Sequence, residues 1–208
     1  MDEYLTPAGA GEAEVIEKRS KFIARVTPVG SESEAKEEIA RVRAQYHDAR
    51  HNCWCFIIRG GPERYSDDGE PQGTAGLPML EVFRRGGVFD VCCVVTRYFG
   101  GILLGPGGLS RAYSEAAKLA LADAGVTGMR LWECLEIPCP YNYLERVKKE
   151  IDGFGGMVED IEYGENVIVR AVLPAGGSEG FNKRLADISA GAVLGAVIGE
   201  KFAGAGNE

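Results

Sequence analysis

Apolar and polar residues alternate through 21–29 (KFIARVTPV), with Phe22, Ala24 and Val26 on one face, which predicts a strand. The period then lengthens. Ala35, Ile39, Val42 and Tyr46 recur at helical spacing behind a Ser31/Glu34 capping box, so 32–46 reads as an amphipathic helix. Residues 53–59 (CWCFIIR) are β-branched and aromatic, hence a strand. A polar turn follows over 60–69. A helix is predicted over 74–85, with Pro78 near its start or bending it. Residues 90–98 are apolar on both faces, the pattern of a central strand. A glycine-rich loop, 100–108, then leads into a helix over 109–124, with Leu109, Tyr113, Ala116, Ala117, Ala120, Leu121 and Ala124 facing inward.

Beyond this the periods switch cleanly. Strands are predicted over 131–138, 157–163, 166–173 and 192–202, and helices over 141–153 and 179–189. That β-α-β-β-α-β order is the ferredoxin-like split unit, which closes its own core in about 75 residues. Gly125 and Gly128 mark a turn, so the domains are expected at 1–130 and 131–208, and the fold class is α+β. The tail, 203–208, is small and polar and reads as a frayed end. No internal repeat or low-complexity segment is visible.

Composition narrows the class. The chain has 208 residues, 45% hydrophobic and 26% charged, as in a globular protein. No apolar stretch approaches the roughly 18 residues that span a bilayer. The N-terminal MDEYLTPAGAGEAEV is acidic and does not read as a signal peptide, so a cytoplasmic protein with no membrane partner is expected. A net charge of -8 argues against broad nucleic-acid binding. The charge is uneven: residues 1–130 carry 16 Lys+Arg against 18 Asp+Glu, and residues 131–208 carry 7 against 13. Any RNA or ribosome contact therefore belongs to the first part. The six cysteines lie in or beside apolar stretches without a C-x-x-C pair, and buried reduced thiols are expected.

Chemistry concentrates between 64 and 114. The acidic turn Ser66-Asp67-Asp68-Gly69-Glu70-Pro71 packs three carboxylates into four residues. Such a cluster can hold a hard cation, accept from arginines, cap the following helix, or simply form a solvated turn. The loop containing Gly100, Gly101, Gly105, Gly107 and Gly108 precedes a helix, where backbone N–H groups favour anions. It lacks the Lys-Ser/Thr of a P-loop, and a tight connection needing positive φ explains it equally well. Arg97 and Arg111 bracket the loop. Arg111 stands where the helix macrodipole disfavours a cation, so a partner is expected: either Arg97 or Arg111 pairs with Asp67, Asp68 or Glu70 in a fixed network, or the cation awaits an external anion. Tyr98 and Tyr113 are near enough in sequence to stack or donate. His47, His51, Cys53 and Cys55 can be drawn as a zinc site, but ordinary buried thiols explain the cysteines. His51 alone, at a strand entrance, is the better candidate. No nucleophile elbow or Ser-His-Asp arrangement is present.

The segments KRSKFIA at 18–24, ARHNC at 49–53, SDDGEP at 66–71, GTAG at 73–76, RYFGG at 97–101 and LGPGGLSRAY at 104–113 occur in the order seen in the IMPACT/YigZ family, and the chain resembles that family over nearly its whole length. Pro106 and Cys55 depart from its usual alanines. The resemblance implies a ribosomal S5 domain 2-like α/β layer followed by a ferredoxin-like domain similar to domain V of elongation factor G. Eukaryotic members act in translational control, binding the activator of the starvation kinase that phosphorylates initiation factor 2. Bacteria lack that kinase, and this two-domain form looks bacterial.

The leading expectation is a non-enzymatic binding or regulatory protein of the translation machinery, with possible RNA contact on the first domain. Its patch comprises His51, Asp67, Asp68, Glu70, Arg97, Tyr98, Arg111 and Tyr113 beside the glycine loop. No catalytic residue, metal or cofactor is assigned. The alternatives are a metal-assisted enzyme acting on a phosphorylated or peptide-like small molecule, with His51 as base, and a scaffold whose motifs are purely structural.

Overall fold

The computed structural model describes residues 3–204. They form two compact units, residues 4–128 and residues 129–204 with Glu3. The mixture of helices and strands is the expected α+β class.

In the first unit the strands β2 (Gly11–Glu17), β3 (Ser20–Pro28), β4 (His51–Ile57), β5 (Glu63–Ser66) and β6 (Val91–Tyr98) make an antiparallel sheet ordered β2-β3-β6-β4-β5. Helix α1 (Glu32–Gln45) covers one face, with Ala35, Ile39 and Val42 against Phe56, Cys92 and Val94. Helices α2 (Gly76–Gly86) and α3 (Pro106–Ala124) cover the other, where Met79, Phe83, Tyr113 and Ala116 meet Phe22, Cys53, Cys93 and Val95. Both parities of β6 are therefore buried, which is why its sequence shows no alternation. The Ser31 hydroxyl accepts from Glu34 N–H at 3.2 Å, as a capping box requires, but the Glu34 carboxylate reaches Gly30 N–H at 2.8 Å.

Four expectations for the first unit are corrected. Helix α3 opens at Pro106 and not at Leu109, since Pro106 presets a helical φ and lacks the N–H a first turn leaves unpaired, so Gly107 and Gly108 belong to its first turn and not to the loop. The N-terminal stretch contains two strands, β1 (Glu3–Pro7) and β2, that the pattern did not announce. The polar turn at 60–69 holds the four-residue edge strand β5, none of whose residues is buried. Helix α2 opens at Gly76 and not at Thr74, because the Thr74 N–H and hydroxyl are both spent on Pro71 O at 3.1 and 2.7 Å.

In the second unit β7 (Val126–Cys139), α4 (Leu144–Gly153), β8 (Met157–Tyr163), β9 (Val167–Pro174), α5 (Ser178–Ser189) and β10 (Ala196–Gly204) follow the order read from the sequence. The strands are antiparallel, ordered β10-β7-β9-β8. Both helices pack on one face around Leu135, Ile137, Val169, Phe181 and Leu185. The other face carries Arg170, tied to Glu136, Asp160 and Glu162. The helix expected from Tyr141 begins as a 3-10 turn, Tyr141–Tyr143. The last strand starts at Ala196 and not Ala192, since Asn182 bonds both N–H and C=O of Gly195 and holds the preceding residues as a loop. Of the expected frayed tail, Ala203 and Gly204 lie in β10 and the remainder lies outside the described residues.

Candidate functional site

The site grows from strand register. Arg97 lies opposite His51 on one side and Phe22 on the other, and Tyr98 lies opposite Lys21. The β2–β3 hairpin turns at Lys18 and Arg19, both left-handed (φ 44° and 68°). One end of the sheet thus collects Lys18, Arg19, Lys21, Arg50, His51 and Arg97. The chain leaving β6 continues there through the glycine loop into α3. Gly100 passes so close to the hairpin that a Cβ would lie 2.0 Å from the Arg19 carbonyl carbon, and its N–H donates to Ser20 Oγ at 3.2 Å. Gly101 and Gly105 need positive φ (84° and 73°). These three glycines are therefore explained by backbone geometry. No side chain caps the N-terminus of α3, which leaves the first turn at Gly107 and Gly108 uncapped.

Arg97 is buried and points into the unit. Its Nη1 donates to Glu70 Oε1 at 2.6 Å, with side-chain exposures of 7% and 4%. Nη2 reaches Ser20 Oγ at 3.4 Å, and the guanidinium lies 5.5 and 5.6 Å from the Phe22 and Phe99 ring centroids. The same Glu70 oxygen accepts from Tyr113 OH at 2.8 Å, and Cys53 Sγ contacts that hydroxyl at 3.3 Å. Burial raises the Tyr113 phenol well above its ordinary value and pushes the Cys53 thiol up to about 12. Both stay protonated at neutral pH and serve as hydrogen-bonding groups.

The acidic turn disperses. Asp67 accepts from the N–H groups of Gly73, Ala75 and Gly76 at 2.7, 3.0 and 2.9 Å, capping α2. Asp68 accepts from Asn52 N–H at 2.7 Å and pairs with Arg43 at 2.6 Å. Glu70 takes Arg97 and Tyr113. Three neighbouring carboxylates thus serve three internal roles, and no group of three His, Cys, Asp or Glu converges on a metal position among the described residues. The His47, His51, Cys53, Cys55 drawing is likewise not gathered. Cys53 Sγ donates to Asp67 O at 2.9 Å, and Cys55 lies across from Cys93.

His51 Nδ1 lies 2.8 Å from the Asp68 carbonyl oxygen. A carbonyl only accepts, so Nδ1 carries a proton, and of the two neutral tautomers this bond selects the one with its lone pair on Nε2. Beside it opens a cleft of 340 Å³, with Arg50, Glu70, Arg97, Phe99, Leu103 and Leu104 on its walls. Phe99 is 52% and Leu103 83% exposed, an apolar rim over a buried ion pair.

The remaining candidates separate from this cleft. Tyr98 points to the other face of β6 and donates to Asp48 Oδ1 at 2.7 Å, a bond that, with slight burial, pushes the phenol to about 12. Tyr113 is a core residue. Arg111 borders a different, polar hollow of 620 Å³ between β2 and α3, with Glu17, Glu115 and Lys118. It makes no ion pair among the described residues, and its guanidinium lies beside Gly107. The expectation that an acidic-turn residue pairs with Arg97 or Arg111 is met by Arg97–Glu70. Lys18, Arg19, Ser20, Arg50 and Phe99 lie within the family-like segments, but the sequence reading gave neither them nor Leu103 a place in the patch. The signal for the β2–β3 turn was the short polar break Lys18-Arg19 between Glu17, where β2 ends, and Ser20, where β3 begins.

Comparison with known proteins covers both units. The Impact N-terminal domain profile matches residues 18–121, and a domain of unknown function, DUF1949, matches 137–192. The chain is 35% identical over 193 residues to "IMPACT family member YvyE" of Bacillus subtilis, covering 92% of this chain and 89% of that protein. It is 36% identical over 200 residues to "IMPACT family member YigZ" of Escherichia coli, covering 93% and 97%. "Protein IMPACT" of Rattus norvegicus is 32% identical over 109 residues, 50% of this chain and 34% of that protein. A solved structure titled "Crystal structure of an hypothetical protein" aligns with TM-score 0.66 and 33% identity over 96% of this chain and 98% of its own.

Proposed function

The chain belongs to the IMPACT family, and from that premise we propose that it is a non-enzymatic binding protein that contacts the translation machinery through the cationic end of its first sheet. One contrast carries the reading. The carboxylates that would serve catalysis or a metal are spent internally, whereas Lys18, Arg19, Arg50 and Arg111 at the same end are exposed and make no ion pair among the described residues. In a chain of net charge -8, four unpaired cations beside an uncapped helix N-terminus form a local anion-seeking surface. The partner is ribosomal RNA or an acidic protein of that machinery, which puts the chain in the cytoplasm. If all four cations neutralise single-stranded phosphates, log K falls with log salt at a slope of about -3.

Co-sedimentation with ribosomes over a salt series tests this. Binding that weakens at that slope, and that is lost on combining Arg19→Glu with Arg111→Glu, supports the reading. Absence of wild-type binding at low salt removes it.

A further inference from the structure

The 340 Å³ cleft holds a combination that the large-partner reading does not use. Its walls, Phe99, Leu103, Leu104 and Leu109, are apolar, and its polar groups are few and fixed. Arg97, 6% exposed, has a buried Nε–H with no partner. Glu70 Oε2 has no hydrogen bond among the described residues, since both donors converge on Oε1. His51 is held through Nδ1, so that Nε2 remains as an acceptor. Arg50 stands exposed at the mouth.

Charge decides the ligand's sign. Arg50 and Arg97 outnumber Glu70 by one. Size limits the ligand as well. The volume is at the low end of the roughly 300–1,000 Å³ of small-molecule sites. The multiple negative charges of a nucleotide are too many for one net cation. What fits is a single negative charge, one or two N–H donors for Glu70 Oε2 and His51 Nε2, and a residue-sized apolar group.

From this we infer that the cleft binds an apolar amino-acid residue bearing a free carboxylate, supplied by the C-terminal end of a peptide or by the free amino acid. The carboxylate faces Arg50, the N–H meets Glu70 and His51, and the side chain lies against Phe99, Leu103 and Leu104. A carboxylate facing an arginine makes a charge-assisted contact, stronger than a neutral one. The inference uses the same end of the sheet as the translation reading but does not depend on the identity of the large partner.

Isothermal titration of the full chain with N-acetyl-leucine, N-acetyl-leucinamide, leucine and a short leucine-ended peptide tests it. N-acetyl-leucine is expected to bind at least about tenfold more tightly than its amide, which lacks the charge. Arg50→Gln and Leu103→Ser, both at exposed positions and checked for folding by circular dichroism, are each expected to weaken the acid several-fold. A peptide or N-acetyl-leucine that outbinds leucine assigns the ligand to a chain end, and the reverse order assigns it to the free amino acid. Equal affinity for acid and amide, or no heat with any of the four at millimolar ligand, overturns the inference. Leu103→Ser leaves the four surface cations in place, so loss of small-ligand binding with retained ribosome binding separates the two readings.

Discussion

Arg97 and Glu70 are the test of how the site is built. Replacing Arg97 with Met removes a 2.6 Å charge-assisted bond and leaves Glu70, 4% exposed, with only the Tyr113 hydroxyl. Breaking a buried pair from one side costs about 3–5 kcal/mol, because an uncompensated charge stays behind. Glu70→Gln strands the guanidinium between Phe22 and Phe99 and is expected to cost about 2–4 kcal/mol. The double variant leaves neither charge, so its cost should fall short of the sum by about 2–3 kcal/mol. Urea unfolding measures this in a Trp132→Phe background, where Trp54, the other of the two tryptophans, reports on the first unit alone. Additivity within about 0.5 kcal/mol would refute the claim that this pair anchors the sheet end to the acidic turn.

Three further outcomes are expected. Gly100→Ala drives a methyl group into the Arg19 backbone, so it should destabilise the first unit by more than about 2 kcal/mol and alter the environment of Ser20, read by urea unfolding and backbone amide shifts. Asp67→Ala removes the acceptor for three N–H groups at the start of α2 and is expected to cost about 2–3 kcal/mol, with Asp67→Asn recovering part. Arg41 above all, then Thr27 and Arg25, holds Glu38 at about 2. A depressed folded value gives stability that is present above the ordinary carboxylate value and is lost as pH falls toward the folded one. Glu38→Gln should therefore cost on the order of 2 kcal/mol at neutral pH, and its unfolding curve should converge with the wild type as pH approaches about 2.

What the sequence disclosed followed from how completely each element is buried. Strand β6 was legible because Cys92 and Val94 face α1 while Cys93 and Val95 face α2 and α3, so every position from Val91 to Val95 is apolar. Strand β2 was not, because on this edge strand the alternation Glu12-Ala13-Glu14-Val15 is cut short by Ile16, apolar yet 68% exposed, and by Glu17 at the parity of Val15. Strand β5, at the other edge, failed more severely, since none of its residues is buried. At the site, an acidic-turn partner for Arg97 could be foreseen from charge alone. That the partner is Glu70, and that Asp67 caps α2, depends on the β4–β6 register and the fold of the turn, which no local spacing encodes. The Lys18–Arg19 turn became visible as part of the site only once β2 was in place. Arg97 and Tyr98, adjacent in sequence, were read as neighbours, but the two-residue strand period sends them to opposite faces.

The proposed function requires that the cationic end of the first sheet be the surface that meets the translation machinery. Amide hydrogen exchange of the wild-type chain, alone and with excess ribosomes, reports on that surface without any substitution. Slowed exchange confined to 17–21, 50–51 and 99–111 is the expected result. Slowed exchange only in the second unit, residues 129–204, or no change anywhere, would contradict it.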